Sequence, residues 1–162
     1  MTIAFVGLGG NTLPARRSMR TARQKLRHLP GARLLAVSPT YESAPINCPG
    51  RQRSYCNAVA QLQTMLPPQR LFYLLQAVER KIQRRRRRRN APRHLDLDYL
   101  LHGGASLRGP HLVLPHPRML KRAFVLRPLA DLVGGHFCVV RGGEPLGKHL
   151  RRCRGQALRR LS

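Results

Sequence analysis

Short apolar runs alternate with helical stripes along this chain. Ile3, Ala4, Phe5, Val6 and Leu8 form a compact, partly β-branched run and predict a strand. Gly9-Gly10-Asn11 predicts a turn behind it, because glycine tolerates close backbone approach and positive φ. Met19, Ala22, Leu26 and Leu29 recur at spacings of three and four, which predicts an amphipathic helix with a basic outer face, closed by Pro30-Gly31. Residues 34–43 predict a second strand, and Pro39 within it marks an edge or a bulge. Pro45, Asn47, Pro49 and Gly50 make 44–54 a loop. Residues 55–64 then alternate. Cys56, Ala58, Ala60 and Leu62 share the face expected to meet the core; Tyr55, Asn57, Val59 and Gln61 share the other. Tyr55 beside Asn57 is either plain sheet surface or an aromatic and an amide able to hold a flat heterocycle.

Pro67-Pro68 opens the clearest helix, with Leu71, Leu74, Leu75, Val78 and Ile82 on one stripe and Gln76 and Glu79 flanking it. Arginine fills every position from 84 to 89, and like charges in such a run repel and stay solvated. Residues 95–101 predict a strand, His102-Gly103-Gly104 a turn, and 112–114 a short strand broken by Pro115-His116-Pro117. Residues 119–132 predict a loop followed by a short helix. From about Gly134 the chain is Gly-rich and then basic, and it offers no usable motif. The order β-α-β-β-α-β predicts an α+β, ferredoxin-like sandwich with a C-terminal extension, one domain over 1–162. Such a fold hosts RNA-binding modules, nucleotide-polymerising palms and metabolic enzymes alike, so the function has to come from the site.

Composition narrows the field. Thirty-one Lys and Arg against six Asp and Glu give a net charge of +25, which calls for polyanionic company, nucleic acid or a phosphate-rich small molecule. At 42% hydrophobic the chain can still build a core. No run approaches a membrane span, and 3–8 is too short and too poorly flanked by basic residues for a secretory leader. Cys48, Cys56, Cys138 and Cys153 show neither C-x-x-C nor metal-site spacing, which suits a reducing compartment. The expectation is a cytoplasmic monomer.

Two of the six acids, Asp96 and Asp98, stand two positions apart in an otherwise apolar run. On a strand, such a pair leaves one face about 6.6 Å apart along the backbone. Carboxylates that close repel unless a cation lies between them. The cation could be a surplus arginine on an exposed face, or Mg²⁺ facing a polyphosphate, since Mg²⁺ is commonly held by one or two carboxylates plus substrate phosphates. The arginine run just upstream is either a solvated, nucleic-acid-seeking tract or a lid whose guanidinium forks match phosphate oxygens.

Four stretches, taken together and in order, resemble the 6-hydroxymethyl-7,8-dihydropterin pyrophosphokinases of folate biosynthesis. They are Gly9-Gly10-Asn11, Tyr55-Cys56-Asn57-Ala58, Ala91-Pro92-Arg93-His94-Leu95-Asp96-Leu97-Asp98, and Leu114-Pro115-His116 with Arg122-Ala123-Phe124. The resemblance runs from the first strand to about Leu132. It implies transfer of pyrophosphate from ATP to the pterin's hydroxymethyl oxygen with release of AMP. By the same resemblance, Asp96 and Asp98 hold two Mg²⁺ ions, and Arg84 and Arg93 reach the phosphates with Arg86 and Arg89 as lid companions. Tyr55 and Phe124 sandwich the pterin, Asn57 meets its polar edge, and Ser43, Ala44 and Ile46 complete the pocket. Gln76, Glu79, His116 and Arg122 lie near ATP. The chain departs from the family pattern at Gly10, Asn90, His94, His111 and Pro117, and its lid is about one residue shorter. His94 shares a face with the two aspartates, so a His-x-Asp-x-Asp site for Zn²⁺ or Mn²⁺ is an alternative.

The competing reading is a ferredoxin-like nucleic-acid-binding protein using the 84–89 tract. Its strands lack the aromatic pattern that stacks RNA bases, although the charge predicts salt-sensitive, sequence-independent contact with nucleic acid whatever the main function is. A palm-type nucleotidyltransferase would use the same aspartates but leaves Tyr55, Asn57 and Phe124 unexplained.

Overall fold

The structure, a computed structural model, describes residues 1–10, 15–44, 54–82 and 95–161. Strands β1 (Thr2–Gly10), β2 (Ala32–Val37), β3 (Tyr41–Ser43), β4 (Tyr55–Thr64) and β5 (Asp96–His102) form an antiparallel sheet with helices α1 (Ala15–Arg27) and α2 (Pro68–Ile82) between them. The order across the sheet is β5-β1-β4, and β2 and β3 both pair with β4. This is the expected βαββαβ arrangement.

Antiparallel neighbours joined by helical crossovers leave one sheet face for the helices to cover. α1 and α2 cover it: Met19, Ala22, Leu26, Leu71, Leu75 and Val78 pack on Ala4, Val6, Leu8, Ala58, Ala60 and Leu62. The face of β4 expected to be core is therefore core.

The opposite face is also buried. Helix α3 (Ala123–Val133) lies on it with helix α4 (Leu146–Arg152) packed behind, and together they enclose Phe5, Val59, Leu100 and Leu101 with Val125, Leu126, Leu129 and Leu146. A plain, solvated face through Asn57 and Val59 is thus overturned, because 123–152 supplies a second apolar layer. The final strand, β8 (Leu158–Arg160), pairs with β3 and extends the sheet, so the tail is structured. A separate ribbon, β6 (Leu107–Arg108) with β7 (Val113–Leu114), leads through a cis Leu114–Pro115 bond to a 3₁₀ turn at Met119–Lys121.

Two local expectations change. Gly9 and Gly10 end β1 instead of turning, since both pair with β4. Asn11 lies outside the described residues. The 34–43 strand is two strands. At the break, Ser38 donates its backbone N–H to the Val59 carbonyl and accepts the Val59 N–H on its Oγ, both at 2.9 Å. The Ser38 Oγ thereby takes the place of a backbone carbonyl acceptor at the break before Pro39.

Candidate active site

The site is built on a rung across the sheet. β5 presents Asp96 and Asp98, which pair with Gly9 and Gly7 of β1; on its other side β1 pairs Gly9 with Asn57 and Gly7 with Val59. The middle strand carries no side chain at either position, so a trough separates the carboxylate strand from the amide strand. A Cβ on Gly7 would come within 3.5 Å of the Asp98 Cβ, and one on Gly9 within 3.5 Å of Asn57 Oδ1. Neither glycine has positive φ. Their role is to leave the floor bare.

The trough opens as a cleft of about 250 Å³, its mouth included, lined by Gly7, Gly9, Asn57, Asp98, Phe124 and Val125 among others. Asn57 is buried, and its Nδ2 donates to Ser43 Oγ at 3.0 Å and to the Tyr55 carbonyl at 3.3 Å. Those bonds fix the amide plane and turn its oxygen toward Gly9. Phe124 enters from the start of α3. Ser43 is buried at the end of β3, Ala44 beyond it is exposed, and Tyr55 is half-buried at the start of β4. Tyr55 stands on the Asn57 face, outside the residues that line the cleft.

Arg122 joins the two halves. Its guanidinium lies 3.7 Å from Asp98 Oδ2 and 5.4 Å from the Phe124 ring centre, a cation–π geometry. Burial and neighbouring Arg118 lower its pKa, with Asp98 opposing them. His116 is anchored by its backbone N–H to the Leu100 carbonyl at 2.9 Å. Burial, together with Arg122 and Arg118, pushes its pKa below the usual histidine value, and Asp98 pulls it back. Asp98, Arg122 and His116 therefore form one electrostatic cluster. Gln76 and Glu79 lie half-buried on α2, the helix packed on β5. One turn before Gln76, a larger cleft of about 720 Å³, its mouth included, lies between Phe72 and Tyr73 of α2 and residues 107–112.

Arg84, Arg86, Arg89, Arg93, Ile46, Asn90 and His94 lie outside the described residues. The Arg lid lies there too, as does the histidine of the His-x-Asp-x-Asp alternative. Among the described residues no group of three or more His, Cys, Asp or Glu gathers as a metal cage. Two strand carboxylates with phosphate and water completing the shell fit Mg²⁺, which seldom relies on an all-protein cage.

Sequence reasoning missed Gly7 and Val125. A lone glycine inside a strand pattern is a signal for close approach of a ligand, and it was available at Gly7. Val125 carries no such signal.

The model of the 7,8-dihydro-6-hydroxymethylpterin-pyrophosphokinase family matches residues 5–134. This chain belongs to that family. A 2-amino-4-hydroxy-6-hydroxymethyldihydropteridine pyrophosphokinase of Pseudomonas aeruginosa is 46% identical over 128 residues, covering 79% of this chain and 78% of the relative. One from Methylorubrum extorquens is 34% identical over 161 residues, 99% of each. Solved structures agree on the fold. A Plasmodium falciparum HPPK-DHPS chain superposes with a TM-score of 0.72 at 12% identity, covering 93% of this chain and 45% of that one. This chain thus spans less than half of that longer molecule. In ferredoxin-like RNA-binding modules the open sheet face stacks bases. In this pyrophosphokinase-family chain α3 covers part of that face, and neither the family match nor the relatives support the nucleic-acid-binding alternative, whose 84–89 tract lies outside the described residues.

Proposed function

We propose that the chain transfers the pyrophosphoryl group of ATP to the hydroxymethyl oxygen of 6-hydroxymethyl-7,8-dihydropterin, releasing AMP, a step in tetrahydrofolate biosynthesis. The observation that carries this reading is the single cleft in which the carboxylate Asp98, the fixed amide of Asn57 and the ring of Phe124 converge over a glycine floor. A flat, polar-edged heterocycle needs the last two; a triphosphate donor needs the first.

The pterin lies against Phe124, with Tyr55 on its other side. Asn57 offers its oxygen to the amino edge of the ring, and Ser43, Ala44 and Ile46 close the pocket. The purine of ATP takes the cleft beside Phe72, next to Gln76 and Glu79, while His116 and Arg122 face the phosphates. Arg84, Arg86, Arg89 and Arg93 complete the phosphate contacts. Asp96 and Asp98 would hold two Mg²⁺ ions, which supply charge neutralisation of the triphosphate. A new bond forms between the pterin's alcohol oxygen and Pβ, the bond from Pβ to the bridging oxygen of the α-phosphate breaks, and AMP leaves with that oxygen. The alcohol proton passes to solvent. No protein nucleophile is required, and the residues contribute alignment and electrostatic stabilisation. The chain acts as one domain over 1–162, as a cytoplasmic monomer.

Incubation with ATP, Mg²⁺ and the pterin tests this. AMP is expected in step with pterin pyrophosphate, and AMP that forms equally without pterin overturns the reading. Asp96→Ala and Asp98→Ala should each lower kcat at least about a hundredfold with an unchanged circular dichroism spectrum. A variant that keeps near-normal kcat removes the metal assignment.

A further inference from the structure

The family match ends at residue 134, yet a residue well beyond it grips the active-site segment. Gln156 accepts the Ala123 N–H on Oε1 at 2.8 Å and donates from Nε2 to the Lys121 carbonyl at 2.9 Å. A single amide thus brackets Arg122 from both sides. Helix α3 needs such a partner: Arg122 is its N-cap, with extended backbone and no side-chain cap of its own. The first N–H groups of a helix have no acceptor within it.

Gln156 is itself held in place. Its N–H donates to the Cys153 carbonyl at 2.9 Å, and Cys153 is buried in the second core. Just beyond, β8 pairs with β3, and the Leu161 N–H bonds the Thr40 carbonyl at 2.8 Å. The clamp is therefore anchored on the same β3 that ends in Ser43.

We propose that Gln156 is a positioning residue for the reaction: it locks the first turn of α3 so that Arg122 faces Asp98 while Phe124 faces Asn57. The inference rests on the proposed pyrophosphoryl transfer. Without the clamp the first turn frays, and the guanidinium and the ring lose their alignment together. Leu126 and Leu129, both fully buried, keep the rest of α3 packed.

The test is calorimetric titration of the pterin into chain loaded with Mg²⁺ and α,β-methylene-ATP, well below the melting temperature, with steady-state kinetics alongside. Gln156→Ala should weaken pterin binding about five- to tenfold, the effect of losing one cap and its reciprocal bond. kcat/KM should fall at least as far while the circular dichroism spectrum is unchanged. Gln156→Glu keeps the acceptor for Ala123 and should recover part of the affinity. Gln156→Met fills the same space without either bond and carries the comparison if Gln156→Ala fails to fold. A purely structural role would lower the melting temperature and leave the dissociation constant within twofold of wild type, which overturns the proposal. Wild-type chain that does not bind the pterin overturns instead the activity on which it rests.

Discussion

Asp98 and His102 stand two turns of the pleat apart on β5, and burial treats them differently. Asp98 faces the cleft and meets Arg122, whereas His102 is buried with its Nδ1 2.5 Å from the Tyr99 hydroxyl. Burial lowers the His102 pKa below 6.5 and raises that of Tyr99 above 10.0. Below pH 6.5 the folded chain then binds fewer protons at His102 than the unfolded chain does, so stability falls as pH drops. Above pH 10.0 the unfolded chain loses the Tyr99 proton first, so stability falls again as pH rises. Melting temperatures across this range should show a plateau between two declining limbs. His102→Gln should flatten the acid limb relative to wild type, and an unchanged acid limb would remove His102 as its source. At this scale the aspartate pair was legible because two charges in an apolar strand are anomalous. Gly9 was not, because whether a glycine turns or lies flat depends on what pairs beside it.

Among the elements, β3 has the most to hold with the least. It is three residues long and carries Ser43 to Asn57. Its position comes from neighbours on two sides: Tyr41 donates to Asp131 Oδ2 of α3 at 2.6 Å, Arg127 lies 3.5 Å from the same carboxylate, and Glu42 pairs with Arg159 of β8. Tyr41→Phe leaves the ring packed and deletes two charge-assisted bonds, the one to Asp131 and the long one from Arg127 at 3.4 Å, so urea unfolding should show a loss of about 1–2 kcal/mol. Asp131→Asn in the Tyr41→Phe background should cost less than it does alone, and additive losses would show that the two residues do not couple. Periodicity found α1, α2 and the strands they cover, since each carries its own apolar stripe. It could not find the role of 135–161. Leu146, Leu150 and Cys153 form no long stripe, and they become core only where α3 and the sheet meet them.

Over the whole molecule, charge is distributed unevenly. Glu42 and Glu144 pair with Arg159 and Arg152, and Asp98 and Asp131 face Arg122 and Arg127. Helix α1 contains no acid at all, and Arg17, Arg20 and Arg27 are exposed along it. Its apolar stripe is buried, so the face is cationic without being amphipathic toward solvent. Sequence-independent retention on nucleic acid is expected at low ionic strength, fading by physiological salt. Replacing Arg17, Arg20 and Arg27 by Gln should reduce the slope of log affinity against log salt by up to about 3, with kcat unchanged. An unchanged slope would place the contact elsewhere.

The sequence by itself determined the βαββαβ order, the paired carboxylates and the family, because alternation, helical stripes and four short motifs are local features that survive without coordinates. Only the tertiary structure decided that the second sheet face is covered, that Gly7 and Gly9 form the floor of a cleft, and that Gln156 reaches back to Arg122. Each of these depends on contacts between residues far apart in the chain, where no spacing rule applies. The bare strand, the fixed amide and the capped helix acquire their chemistry only once the sheet brings them together.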